Sequence, residues 1–250
     1  MKNIFVHRLF VAFWSVFCYT CFSRIKEKGS VTVTEKERAA LCVQALKKEY
    51  PQALCSLEAE TPFRLLVATR LSAQCTDARV NLVTPALFEK YPDASAMSKA
   101  DVHDVEELIH SCGFFRAKAK DIVEASKKIM SDFSGEVPGT MEELLTLPGV
   151  GRKTANLVLG DVFKKPAVVA DTHLIRISNL LGFVSSKDPV KVEKRMREVL
   201  PPEESNDFCH RAVLHGRAVC VARRPNCAVC CMKKWCSYAQ KESDKKDEKN

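Results

Sequence analysis

The stretch Leu147-Pro148-Gly149-Val150-Gly151-Arg152-Lys153-Thr154-Ala155 constrains the path of this chain more tightly than any other. Just upstream, Thr140-Met141-Glu142-Glu143 is a Thr-x-x-Glu capping box that opens a short helix. Downstream, Ala155, Val158, Leu159 and Val162 recur at helical spacing. Pro148 ends the first helix, and the two glycines permit a turn that residues bearing a Cβ resist. Two helices therefore meet at a tight turn. The N–H groups of Gly149, Val150 and Gly151 are expected to point outward where the second helix starts. Such donors lack intrahelical partners and sit at the positive end of the helix dipole, which makes the turn a ready anion site. An ordinary αα-hairpin, with glycines present for steric reasons, would carry the same pattern.

The rest of the chain repeats the helical signature. Thr34-Glu35-Lys36-Glu37 is another capping box, followed by an apolar stripe of Ala39, Cys42, Val43, Leu46 and Tyr50. Thr61-Pro62 opens a helix to about Leu71, and Thr76 or Asp77 caps one running to Tyr91. Ser98 with Asp101 opens a helix to His110, with Gly113 where a C′ glycine is expected. Phe115 to Phe133 is helical and ends at Ser134-Gly135. After the hairpin come helices following Asp171 and Asp188-Pro189, then one from about Glu203 to Val219. Only Ala167-Val168-Val169 hints at a strand, and it is too short. The fold class is all-α. Hydrophobic residues make up 46% of the 250, enough to bury a core.

The two ends differ from this body. Residues 1–28 hold an uncharged, aromatic-rich run from Leu9 to Phe22, preceded by Lys2 and Arg8. At 14 residues the run is shorter than the ~20 a membrane helix needs. Its basic-then-apolar order suits a signal peptide without a clear cleavage site, and the lack of acidic residues before Glu27 suits a transit peptide. A start further downstream is the third reading. Residues 1–30 are set apart as an extension. A cytoplasmic, nucleoid-associated location is expected, or an organellar one if 1–28 are a transit peptide. The tail 241–250 has no apolar residue and is expected to be disordered.

Twelve cysteines are many, but they do not form a disulfide framework. Cys220-x6-Cys227-x2-Cys230-x5-Cys236 is a compact set just past the last long helix. Four thiolates are the full ligand set for a structural zinc or a [4Fe–4S] cluster, and the spacing alone leaves both open. The arrangement suits a reducing compartment. Cys231 adjoins Cys230 and is left out of the set; neither it nor Cys75 has an assignable role. Arg223 and Arg224 sit between the first two cysteines, where a bound centre would hold them outward toward phosphate; a solvated turn is the plainer reading. A net charge of +8 favours a polyanionic partner.

Several stretches together carry a family resemblance. Leu147–Ala155, Val169-Ala170-Asp171-Thr172-His173-Leu174-Ile175-Arg176 and the cysteine array resemble endonuclease III, a DNA glycosylase and abasic-site lyase of the helix-hairpin-helix superfamily. Leu71-Ser72-Ala73-Gln74-Cys75-Thr76-Asp77 and His215-Gly216-Arg217 fit the same family. The resemblance covers about residues 31–240 and implies a [4Fe–4S] cluster rather than zinc. It implies two helical domains with a DNA cleft between them. One is a six-helix domain, 55–165, containing the hairpin at about 141–163. The other, the cluster domain, joins 31–54 to 166–240.

The resemblance also assigns roles. On its own, Lys153 reads as a phosphate-contacting lysine; the family's amine nucleophile falls on it. A helix N-terminus, nearby cations and desolvation favour the neutral amine such chemistry needs. Asp171 reads as an N-cap, and the family's catalytic aspartate matches it. Gln74, alone a surface glutamine, matches the residue that fills the space left by a flipped nucleotide. Gly149, Val150, Gly151, Arg152, Thr154, Arg223 and Arg224 are the expected DNA contacts, and Cys220, Cys227, Cys230 and Cys236 the cluster ligands. His173 reads as a structural histidine or a DNA contact.

The implied function is base excision repair. The enzyme removes oxidised pyrimidines from duplex DNA and cleaves 3′ of the abasic site by β-elimination through a lysine Schiff base. A monomer with no stable membrane partner is expected. Two alternatives stand beside it. A monofunctional adenine glycosylase would place a glutamate one helical turn before Gln74, where this chain has Arg70, and would carry a further C-terminal domain. A non-catalytic, redox-sensing DNA-binding module would need neither Lys153 nor Asp171.

Overall fold

Short polar side chains at the expected positions start most of the helices. Thr61, Thr76, Asp101, Thr140, Asp171 and Asp188 each accept a first-turn backbone N–H through the side-chain oxygen. These caps satisfy donors that the helices leave free. The structure, a computed structural model, describes residues 33–52 and 54–247. The apolar run and the leader readings of 1–28 lie outside the described residues.

Among the described residues there are twelve α-helices and no strand. In chain order they are α1 (Glu35–Glu49), α2 (Pro62–Leu71), α3 (Asp77–Lys90), α4 (Ala94–Ser98), α5 (Val102–Leu108) and α6 (Phe115–Asp132). They continue with α7 (Met141–Leu144), α8 (Arg152–Asp161), α9 (Thr172–Leu181), α10 (Pro189–Val199), α11 (Ser205–Ala218) and α12 (Ser237–Asp247). Short 3₁₀ turns cover Pro202–Glu204 and Lys233–Trp235. The all-α reading holds. No helix among the described residues is long and apolar enough to cross a membrane.

The helices pack in two groups. Helix α2 lies against α3, α6 and α8, while α6 also packs on α4 and α5, and α7 on α8. Helix α9 lies against α10, α11 and α12, with α1 on α10 and α11. A contact of α8 with α11 bridges the groups, and from Glu35 onward the chain forms one unit with a continuous apolar core. Two glycines make close approaches possible. A Cβ on Gly160 would stand 2.1 Å from Asn206 Oδ1, and one on Gly216 would stand 2.5 Å from His173 Nδ1. The first lets α8 meet α11, the second lets α11 meet α9.

The structure corrects three expectations. Ser98 ends the short helix α4, capped by Asp93, instead of opening the next one; Asp101 alone caps α5. Gly113 is no helix C′ residue, since α5 stops at Leu108 and Gly113 instead faces the Gln74 carbonyl. The tail is helical through Asp247. Buried Ala239 anchors the first turns of α12, and adding residues to a formed helix costs far less than starting one, so the lysines and glutamate that follow continue it.

Candidate active site

The hairpin turn is built from inside. Gly149 has φ +71, a left-handed conformation that glycine adopts freely, and a Cβ there would lie 2.5 Å from Arg70 Nε. Arg70 is itself held by Asp121, at 2.9 Å from Nε and 2.5 Å from Nη2. That ion pair is the floor of the turn. Gly151 is different. Its φ of −102 is ordinary, and a Cβ there would meet nothing within 4 Å. No fold requirement keeps a side chain off Gly151, so its bareness matters only to something approaching from outside.

The anion site differs in detail from the sequence reading. Val150 N–H is spent inside the turn on Leu147 O, at 3.1 Å. The first intrahelical donor of α8 is Ala155 N, bonded to Gly151 O, and Gly151 offers no side-chain cap. The N–H groups of Arg152, Lys153 and Thr154 are thus the free first-turn donors. The Arg152 guanidinium is engaged elsewhere: Nε and Nη2 donate to the two carboxylate oxygens of buried Glu193, at 2.9 and 2.6 Å. Arg152 is an expected DNA contact; its guanidinium supplies the cation that the carboxylate buried on α10 needs, together with Arg197 at 3.4 Å, and its N–H is what remains free at the start of α8.

Lys153 and Asp171, 18 positions apart at the N-termini of α8 and α9, line one cavity of about 280 Å³. Leu57, Leu157, Val213 and Leu214 supply apolar wall; Thr69, His173, His210 and Arg217 supply polar groups. Lys153 is exposed, and its ammonium has no hydrogen bond or ion pair among the described residues. Asp171 is half-buried and Oδ1 accepts the Leu174 N–H at 2.7 Å, while Oδ2 has no such bond. One carboxylate oxygen thus fixes the group and the other is available. Burial pushes the His173 imidazole below its ordinary pKa. Arg176, Arg217 and Lys153 press the same way, against the opposing pull of Asp171. The cavity thus sets two cations, Lys153 and Arg217, beside two carboxylates, Asp77 and Asp171, with His173 held toward its neutral form.

Gln74 is exposed with φ +53, left-handed for a residue with a Cβ. Phe114, with φ +57 and 69% exposed, is the residue the sequence reading missed. Gly113, which precedes it, would place a Cβ 3.7 Å from Gln74 O, so the two protruding side chains spring from adjoining backbone. The only local sign was an aromatic directly after a glycine. Asp77 is in the first turn of α3 behind the Thr76 cap; it accepts from Ser56 Oγ at 2.5 Å and lies 3.6 Å from Arg217.

Cys220, Cys227, Cys230 and Cys236 line a small common cavity with Leu180, Val219 and Tyr238, and none is in a disulfide. Among the described residues no three His, Cys, Asp or Glu side chains converge as the ligands of a single ion would. Burial pushes the Cys220 thiol up to about 11; Arg176 opposes this, and the Cys230, Cys236 and Cys227 sulfurs add to it. Arg176 fastens the start of this loop, donating from Nη2 to Cys220 O at 2.7 Å and Gly216 O at 3.0 Å. Arg223 and Arg224 are exposed in the turn between the first two cysteines.

Comparison with known proteins agrees with this geometry. Residues 67–202 match the model of the HhH-GPD superfamily base excision DNA repair protein. Endonuclease III of Synechocystis sp. is 52% identical over 208 residues, covering 83% of this chain and 95% of its own length. A solved structure of a trapped endonuclease III–DNA covalent intermediate superimposes with a TM-score of 0.77 at 40% identity, over 83% of this chain and 98% of that one. A non-covalent endonuclease III–DNA complex gives a TM-score of 0.76 at 40% identity, over 84% and 98%. The chain belongs to the HhH-GPD superfamily of base excision DNA repair proteins, among the endonuclease III DNA glycosylases and abasic-site lyases.

Proposed function

We propose that this enzyme binds duplex DNA containing damaged pyrimidines or abasic sites, with Lys153 as the nucleophile and Asp171 as its electrostatic and proton-handling partner. The observation that carries this is the placing of a free ammonium and a half-free carboxylate in one cavity, each on a helix N-terminus. A related enzyme held covalently on DNA supports it.

The chemistry follows from those two groups. The Lys153 ammonium first gives up a proton to solvent; the neutral amine then attacks C1′ of the flipped nucleotide, a C–N bond forms, the glycosidic bond breaks, and the base leaves with a proton released by the new alkylated nitrogen. The Asp171 carboxylate stabilises the positive charge that develops on the sugar. Opening of the sugar ring leaves an iminium ion on Lys153. Loss of a C2′ proton then expels the 3′ phosphate, and water hydrolyses the iminium to free the lysine. Gln74 and Phe114 occupy the space from which the nucleotide is drawn. The free N–H groups at the start of α8, bare Gly151, Arg223 and Arg224 contact phosphates.

The four cysteines fit a [4Fe–4S] cluster. Cys236 is buried and the other three are half-buried, none is in a disulfide, and burial pushes the Cys220 and Cys230 thiols up, so a strong positive centre is what would bring those two to the thiolate form. They line one common cavity, and membership of the endonuclease III family favours the cluster over zinc. When bound, the cluster supplies a structural anchor for the loop that presents Arg223 and Arg224. In this reading the two helix groups are domains, 55–165 against 31–54 with 166–240, and the DNA lies between them. The enzyme acts as a monomer.

Borohydride trapping on abasic duplex tests the assignment. We expect a covalent adduct that disappears in Lys153→Ala. In Asp171→Asn, which keeps the cap, base release should fall about a hundredfold or more. An adduct that survives Lys153→Ala would refute the nucleophile.

A further inference from the structure

We infer that Tyr50 and His215 form a hydrogen-bond arm that sets the reduction potential of the cluster through the sulfur of Cys230. The inference rests on the cluster reading given above. Tyr50 Oη lies 3.2 Å from His215 Nδ1, and His215 Nε2 lies 3.3 Å from Cys230 Sγ. The two rings meet edge to face with centroids 5.9 Å apart. Both ends of the arm are held. Tyr50 closes the C-terminus of α1, donating its N–H to Leu46 O at 2.8 Å, and its own carbonyl accepts from buried Arg211 at 3.1 Å. His215 is 1% exposed on α11, and its carbonyl accepts the N–H of Cys220, a second ligand, at 2.8 Å.

The direction of the bonds follows from the chemistry of the donors. A thiolate bound to iron has no proton to give, so it can only accept. Neutral imidazole carries one N–H, which must then be on Nε2, pointing at Cys230. Nδ1 is left as an acceptor, and the Tyr50 hydroxyl donates to it. The phenol therefore fixes the tautomer and polarises the ring, strengthening the N–H···S bond. A donor to a ligand sulfur stabilises the more electron-rich state of the centre and raises its potential. Nothing else in the sequence marked Tyr50, which stands 165 positions from His215. It had been one apolar member of a helix stripe.

The test uses the full-length holoprotein and two variants. Tyr50→Phe keeps the ring and its edge contact and removes only the hydroxyl. His215→Phe removes the N–H. Iron and sulfide content, the midpoint potential from a titration followed by electron paramagnetic resonance, and the nitrogen hyperfine coupling of ¹⁵N-histidine protein are measured. Tyr50→Phe should retain its iron, lower the midpoint and weaken the histidine coupling. The expected size is threefold to tenfold in the one-electron equilibrium constant, at most about 59 mV. A merely structural tyrosine would leave potential and coupling where they are. An unchanged midpoint in an iron-replete Tyr50→Phe protein overturns the inference and leaves the cluster standing. Wild-type protein without iron and sulfide overturns the cluster reading and this inference with it. If His215→Phe fails to hold iron, Tyr50→Phe still decides.

Discussion

The hairpin turn at Leu147–Gly151 and the loop Cys220–Cys236 both supply proposed DNA contacts, and they are built on opposite plans. The hairpin is complete in itself. Leu147 is 2% exposed, Val150 N–H is satisfied within the turn, and the Arg70–Asp121 pair fills the space under Gly149. The cysteine loop has mostly short-range backbone bonds, such as Lys233 N to Cys230 O at 3.1 Å, and Met232 is its one buried large side chain. Its interior is lined by the four thiols together with Leu180, Val219 and Tyr238. The first loop is folded by chain chemistry alone, whereas the second, on the proposed cluster reading, is held by a bound centre.

The largest effect that could break this contrast is loss of the centre. Iron removal, or Cys230→Ser, should abolish amide-exchange protection at Asn226, Lys233 and Trp235 while Val150 and Ala155 stay protected. Structural metal centres in small modules contribute on the order of 10 kcal/mol, so the loop should open outright. Equal loss of protection in both regions would show that the hairpin depends on the centre too.

The two glycines of the hairpin sharpen the comparison next. Gly149→Ala forces a Cβ into a left-handed residue and against Arg70, and should cost about 2–4 kcal/mol of stability by chemical denaturation. Gly151→Ala should cost less than about 0.5 kcal/mol, since its Cβ would meet nothing. Its affinity for abasic duplex should nevertheless fall by about tenfold. If Gly151→Ala leaves affinity unchanged, the bare surface at α8 is not a phosphate seat.

What could be read from the sequence was what is local. Caps such as Thr61, Thr140, Asp171 and Asp188 declare themselves within three residues of the N–H groups they accept. Caps and apolar spacing located every helix longer than seven residues except α12. Five-residue α4 is too short to show a period. Lys153 and Asp171 were legible through motifs, but their common cavity was not, because it depends on α8 and α9 packing across α11. Contacts between distant positions were invisible: Arg152 with Glu193 over 41 residues, and Tyr50 with His215 over 165. A side chain's partner, unlike its cap, is set by the packing of whole helices. Gln74 and Phe114 share that limit, since their left-handed backbones arise in turns whose sequence carries no glycine at the critical residue.

Arg152 gives a medium-sized test of the hairpin's self-sufficiency. Glu193 is 4% exposed and faces Arg152 and Arg197. Burial works to raise its carboxyl pKa, but the Arg152 hydrogen bonds and the nearby charges hold it below the ordinary glutamate value. Glu193→Gln should cost about 2–3 kcal/mol, as removal of one partner from a largely buried pair does after allowance for the exposed Arg152. Arg152→Ala should lose a similar amount of stability yet leave the salt dependence of DNA binding nearly unchanged. A fall of about one in the slope of log K against log salt would instead return Arg152 to the phosphates.

Arg223 and Arg224 carry the smallest effect on the fold and the clearest on binding. Both are exposed in the turn between Cys220 and Cys227, and neither makes a hydrogen bond or ion pair among the described residues. The hairpin's arginine, Arg152, is tied to Glu193, so the free guanidinium groups are presented by the loop proposed to hold the cofactor. Replacing both with alanine should leave iron content and melting temperature unchanged. The salt slope of binding to abasic duplex should drop by about one for each arginine, the signature of lost phosphate contacts. Because the contacts are to backbone, the loss should be the same for damaged and undamaged duplex. A loss confined to damaged DNA would mean that the loop senses the lesion, and the division of labour between a self-folded catalytic hairpin and a cofactor-held phosphate clamp would have to be given up.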